Sequence, residues 1–146
     1  LAQFHGAGRR FEVLGTKNGI TIADDYAHHP TELEATLKAA KEMPYGEVWA
    51  VFQPFTYSRT KILFDDFVRV LPIADHVILS PIMGGRELDT LGVSSEQLAE
   101  KMPGAIVLPD FPAIADYALS HAKPGDLIIT LGCGDVNKCS KMMMEK

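Results

Sequence analysis

A chain of 146 residues, 47% hydrophobic, 23% charged and 8% aromatic, has the size and make-up of one globular domain with a sizeable core. Its net charge of -5 offers no basic face to a nucleic-acid backbone, and no apolar run is long enough for a bilayer-spanning helix. Cys133 and Cys139 make no disulfide framework and LAQFHGAGRRFE is no signal peptide, so the expected location is a reducing cytoplasm.

Taken in order, RRFEVLGT and GITIADDY flank Lys17-Asn18-Gly19, and Asn-Gly between β-rich runs predicts a hairpin. After Pro30 the period changes to that of a helix, with Leu33, Leu37 and Ala40 on one face and Pro30 in the first turn. Pro44-Tyr45-Gly46 ends it, and EVWAVFQP is a nearly continuous apolar strand. Phe64, Phe67, Val68 and Leu71 mark the next helix face, followed by the strand HVILSPI. Ser94 and Gln97 have the spacing of a capping box before SEQLAEKM. AIVLP is another strand, Asp110 caps a helix carrying Ile114, Tyr117 and Ala118, and GDLIITLG is the last strand before a helix near Val136.

Unbroken apolar strands alternating with amphipathic helices imply an α/β, Rossmann-like fold: a mostly parallel sheet with helices on both faces, led by the hairpin. Ligands of such sheets bind beyond the carboxyl ends of the strands. Four polar clusters fall there, at 24–30, 53–60, 84–87 and 132–135, and predict one shared site.

Each cluster has a plainer reading. Asp24, Asp25, His28 and His29 could hold a metal, yet adjacent residues on a strand face opposite ways, and a loop whose polar side chains cap the next helix explains them as well. LGCGD is an incomplete glycine fingerprint, with Asn137 where the third glycine would stand; glycines so placed more often allow tight strand–helix packing than phosphate contact. Cys133 has no base beside it in sequence and reads as a small packing residue. Arg9, Arg10, Arg59 and Arg86 are cations near turns or strand ends, where solvated arginines are common. No G-x-x-x-x-G-K-[ST] occurs, so a nucleotide triphosphate bound here would need another domain.

Together, GRRFE, DDYAHHPTELEATLKAAK, VFQPFTYSRT, ADHVILSPI and GDLIITLGCGD resemble, in order and spacing, the C-terminal domain of the Mur ligases, and within them the L-alanine-adding branch. The resemblance spans essentially the whole chain and implies one domain over residues 1–146, with the N-terminal UDP-sugar domain and the central P-loop ATPase domain absent. It implies a cytoplasmic bacterial ligase that uses ATP and Mg²⁺, the metal being held mainly by the central domain. ATP activates UDP-N-acetylmuramate as an acyl phosphate, which the amine of L-alanine attacks.

By the same resemblance, Arg10 reaches the ATP γ-phosphate, Asp25 accepts from the ribose hydroxyls, and Tyr26, His28 and His29 line the crevice between nucleotide and amino acid. Arg10, His28 and His29 are thus the expected catalytic residues. Arg59 would pair with the carboxylate of L-alanine beside Tyr26, His28 and Phe55. Phe55 departs from the pattern, which usually has histidine there. No metal ligand is expected in this chain. The alternative is a free-standing, non-catalytic Rossmann-like module that binds a nucleotide or a protein; a metal-dependent hydrolase built on Asp24, Asp25, His28 and His29 stands further off.

Overall fold

The computed structural model describes residues 10–146. Its centre is a six-stranded sheet, with strands β1 (Glu12–Lys17), β2 (Ile20–Asp25), β3 (Val48–Phe52), β4 (His76–Leu79), β5 (Ile106–Val107) and β6 (Leu127–Leu131). They lie in the order β1-β2-β6-β3-β4-β5. Only the β1–β2 pair is antiparallel; each other neighbouring pair runs parallel. Asn18 and Gly19 turn the hairpin with φ of 56° and 82°, the left-handed region that Asn and Gly tolerate best. The sequence expectation of a mostly parallel sheet entered through a hairpin holds; the first residue of the expected hairpin, Arg9, lies outside the described residues.

Alternate strand residues feed two separate cores, which is why the strands read as continuous apolar runs. Ala23, Ala50, Phe52, Leu79, Ile129 and Leu131 pack on one face against α1 (Pro30–Glu42), α3 (Phe64–Val70) and α4 (Ser95–Glu100). Ile20, Ile22, Val51, Ile78 and Ile128 pack on the other against α5 (Phe111–His121) and α6 (Asn137–Glu145). Leu33, Leu37 and Ala40 of α1 are fully buried, as their spacing predicts.

Within the polar cluster after β3, Tyr57–Ile62 form a short helix, α2. Two local expectations change. Ser94 does accept from the Gln97 N–H at 3.2 Å, but the reciprocal bond of a capping box is not formed. A complete box occurs instead at α1, with His29 as cap and Glu32 reaching back. The strand expected in AIVLP shrinks to two residues at the sheet edge, where it has one neighbour.

At the amino-terminal edge Asp126, 4% exposed, ties the start of β3 to the turn that leads into β6. Its carboxylate accepts from the backbone N–H groups of Glu47 and Lys123, both at 2.9 Å, and from Trp49 Nε1 at 3.2 Å. Burial pushes its pKa up, but these bonds and the nearby His76 outweigh burial and hold the carboxyl below the usual range. A depressed folded-state pKa means the stabilisation is complete above the unfolded pKa of about 4 and is lost as pH falls through the lower folded value. Asp126→Ala strands three donors and should cost roughly 3 kcal/mol in urea unfolding at neutral pH. The gap between wild type and variant should narrow in acid; a gap independent of pH would show that the charge is irrelevant.

Candidate functional site

The carboxyl ends of β2, β6 and β3 lie flush, since Asp25 pairs with Leu131 and Leu131 with Phe52. The chain therefore delivers residues 26–29, 132–135 and 53–59 to one edge, with the β6 loop between the other two. Connections leave β2 and β3 toward one face and β6 toward the other, so this edge is where a parallel sheet opens a crevice.

On the β2 side, Asp24 and Asp25 face opposite ways, as strand geometry requires. Thr130 Oγ1 donates to Asp24 Oδ1 at 2.6 Å on the α6 side. Asp25 faces α1 and is 3% exposed. Its Oδ2 accepts from the Phe11 N–H at 3.0 Å and from Thr36 Oγ1 at 3.1 Å, and its Oδ1 from the Ala27 N–H at 2.8 Å. Burial raises its pKa; those three donors and the Arg10 charge oppose the rise without cancelling it. A carboxylate offers about four acceptor positions, so Asp25 keeps roughly one for any ligand. Its other task is to hold Phe11, which sits at a φ of 44°, an unusual conformation for an aromatic residue. Arg10, exposed beside Phe11, is thereby fixed near both Asp25 and Glu32.

Tyr26 is 42% exposed and meets the His28 ring edge-on at 5.6 Å. Glu32 Oε1 accepts from the His28 and His29 N–H groups, both at 3.2 Å. Burial alone would raise the Glu32 pKa, but these bonds and the charges of His28 and Arg10 hold it below the usual range.

The two histidines differ in what they offer. A carbonyl only accepts, so the 3.1 Å contact between His28 Nδ1 and the Tyr26 oxygen puts a proton on Nδ1 and leaves Nε2 basic in the neutral ring. His29 Nδ1 accepts from the Thr31 N–H at 3.3 Å, which puts its proton on Nε2. Long-range ¹H–¹⁵N spectra of the neutral rings should show this opposite pair of tautomers. Identical tautomers would refute the distinction.

On the β3 side, Phe55 and Arg59 stand together, the guanidinium 5.9 Å from the ring centroid. A side chain without hydrogen-bonding atoms thus supports the cation through its π face, which gives Phe55 a packing role at the position where the resemblance expects histidine. Among the described residues Arg59 makes no ion pair. Adjacent strands lie about 5 Å apart, so the β2 and β3 clusters are separated by about 10 Å, two strand spacings. Arg86 is exposed in the loop that follows β4.

Between them, the glycines of LGCGD serve close packing. A Cβ on Gly134 would come within 2.4 Å of Gln53 Oε1, and one on Gly132 within 3.1 Å of the Gln53 carbonyl. Gln53 Nε2 donates to Asp135 Oδ1 at 2.9 Å, while its buried Oε1 has no hydrogen-bond partner among the described residues. Gln53 and Asp135 border a cavity of ≈ 280 Å³ that Ser80, Met83 and Phe111 also line.

Three residues that shape this edge were given no role by sequence reasoning: Thr36, which was not singled out, and Gln53 and Glu87, which only bound two of the polar clusters. Thr36 sits on the buried α1 face, and its spacing from Leu33 and Leu37 was the one available signal. His76 and His121 lie at the opposite end of the sheet, stacked on Trp49 and Tyr117. No three or more His, Cys, Asp or Glu side chains are grouped to hold a metal ion among the described residues.

Comparison with known proteins bears on the family of the chain. Residues 9–134 match the family described as Mur ligase, glutamate ligase domain. UDP-N-acetylmuramate–L-alanine ligases of Lachnospira eligens and Acetivibrio thermocellus are 47% and 48% identical over 99% of this chain. The chain spans 32% of the length of each of these relatives. Among solved structures, a murein peptide ligase from Psychrobacter arcticus superposes with a TM-score of 0.74 at 25% identity, over 94% of this chain and 29% of that one. A domain from a Haemophilus ducreyi protein assigned as a UDP-N-acetylmuramate:L-alanyl-γ-D-glutamyl-diaminopimelate ligase gives 0.71 at 25% identity, with 93% and 98% covered. With nearly nine-tenths of its length inside the family match, the chain belongs to the Mur ligase, glutamate ligase domain family.

Proposed function

We propose that this chain is the C-terminal domain of an ATP-dependent ligase that joins L-alanine to UDP-N-acetylmuramate in bacterial peptidoglycan synthesis, acting in the cytoplasm. The observation that carries the reading is the placement of two cations at one edge of the sheet. Arg10 stands on the β2 side beside Asp25 and Arg59 on the β3 side, with the β6 loop between them. A reaction that brings a phosphoryl group and an amino-acid carboxylate together needs an anchor for each.

In this reading Arg10 meets the γ-phosphate of ATP held by the central domain, and Asp25 offers its remaining acceptor position to the ribose. Arg59, backed by Phe55, receives the carboxylate of L-alanine. Tyr26 lines the crevice. His28, with Nε2 basic, is the group suited to take a proton from the alanine ammonium, and His29, with Nε2–H, is suited to donate to an oxyanion. Mg²⁺ supplies charge neutralisation for the nucleotide and belongs to the domains outside this chain. The N-terminal and central domains are its partners.

The test uses the full-length protein from the parent gene. Phosphate release that requires ATP, L-alanine and UDP-N-acetylmuramate together, with formation of the UDP-muramoyl-alanine product, is the expected result. The isolated domain should unfold cooperatively and show no turnover. Turnover by the isolated domain, or by the full-length protein without an amino acid, would overturn the reading.

A further inference from the structure

The loop after β4 does more than close the sheet edge. Met83 N–H donates to the Pro54 carbonyl and Thr56 N–H to the Met83 carbonyl, both at 2.8 Å, so the loop zips onto the chain leaving β3. Gly84 then passes so close to Tyr57 that a Cβ would lie 2.6 Å from the ring, and Gly85 turns with a φ of +65°. That turn brings Glu87 to the amino terminus of α2.

The carboxylate of Glu87 fits that terminus closely. Its Oε1 accepts from the Tyr57 N–H at 2.6 Å and the Ser58 N–H at 3.0 Å, and its Oε2 accepts from the Ser58 hydroxyl. The Ser58 hydroxyl, these N–H groups and the Arg59 charge keep the Glu87 carboxyl below the usual range. Six residues are too few for a helix to persist on its own propensity, so α2 depends on what holds its ends. Its cap residue, Thr56, is itself strained at a φ of 66°, and its side chain covers only the Arg59 N–H, at 3.3 Å. Glu87 therefore accepts from two of the first-turn N–H groups that α2 leaves open.

We infer that Glu87 is a positioning residue for Arg59, clamping the first turn of α2 so that the guanidinium is held in place over Phe55 to receive the amino-acid carboxylate. The clamp does not consume the cation, since Glu87 bonds the backbone ahead of Arg59 and forms no ion pair with it among the described residues. This inference rests on the reading of Arg59 given above.

The experiment compares Glu87→Ala, Glu87→Gln and Ser58→Ala with wild type and Arg59→Ala in the full-length ligase, varying L-alanine and ATP separately. A small displacement of an anchoring group is costly to capture, so Glu87→Ala should raise KM for the amino acid about 10-fold and leave KM for ATP unchanged. Glu87→Gln keeps an oxygen for the two N–H groups and should recover to within about threefold of wild type. Ser58→Ala removes one bond and should give a smaller rise than Glu87→Ala. If Glu87→Ala fails to fold, Ser58→Ala still decides, because it keeps the two backbone bonds and loses only the hydroxyl bond, so an unchanged amino-acid KM in a folded Ser58→Ala overturns the inference. The inference is overturned if the variants lose heat stability with no change in the amino-acid KM, or shift both KM values together. An Arg59→Ala variant with normal KM would instead overturn the site reading itself, which keeps the two failures apart.

Discussion

Arg10→Ala in the full-length ligase is expected to lower kcat by about 100-fold or more while leaving ATP affinity within a few-fold of wild type. The expectation starts from how the domain holds this residue. Arg10 is exposed, but the next residue is not at liberty to move: its N–H is fixed to a buried carboxylate that also grips Thr36 and Ala27. An exposed guanidinium on an anchored backbone is pre-organised to meet charge that arrives on another domain. In the proposed reading such a contact forms as the domains close, and it would then stabilise developing phosphoryl charge more than bound ATP. Arg10→Lys should rescue only partly, because a point charge replaces a planar fork. Thr36→Val, which removes one of the bonds holding Asp25, should lower kcat by a smaller factor in the same direction. A wild-type kcat in Arg10→Ala, measured under saturating substrates, would remove Arg10 from the site.

Arg59→Ala is expected to act on the other substrate, raising KM for L-alanine about 10- to 150-fold with little change in KM for ATP. Alanine is small, and its carboxylate is one of few handles by which a protein can hold it. Losing one charge-assisted bond of this kind costs about 1.5–3 kcal/mol, which is the origin of that range. Phe55→His should be tolerated: the imidazole is close in size, can stack under the guanidinium when neutral, and weakens that contact once protonated. A KM for alanine that rises as pH falls in Phe55→His, but not in wild type, would be the mark of that exchange. If Arg59→Ala alters both KM values equally, or neither, the amino-acid anchor lies elsewhere and Arg59 is structural.

Much of this was legible in the residues alone. The hairpin at Asn18-Gly19, the apolar faces of α1 and α3 and the apolar strands β3 and β6 follow from local period and turn chemistry, which act over a few residues and need no partner. The convergence of 24–30, 53–60, 84–87 and 132–135 also followed, because a parallel sheet must place all its outgoing loops at one edge. Motif resemblance supplied the expected roles of Arg10, Asp25, Tyr26, His28, His29, Phe55 and Arg59.

What the sequence could not decide was which polar groups would spend themselves on each other. Asp25 is a buried carboxylate with three internal donors only because β1, β2 and α1 meet there, bringing Phe11 and Thr36 from 14 and 11 residues away. Glu87 lies 30 residues from the helix it caps. Insertion of β6 between β2 and β3 was equally invisible, since it joins strands far apart in the chain, yet it puts the β6 loop between the β2 and β3 clusters. Period and turn signals are local and survive in the sequence; hydrogen-bond partnership and strand order are settled by long-range packing, where many pairings satisfy the same pattern and only the folded chain selects one.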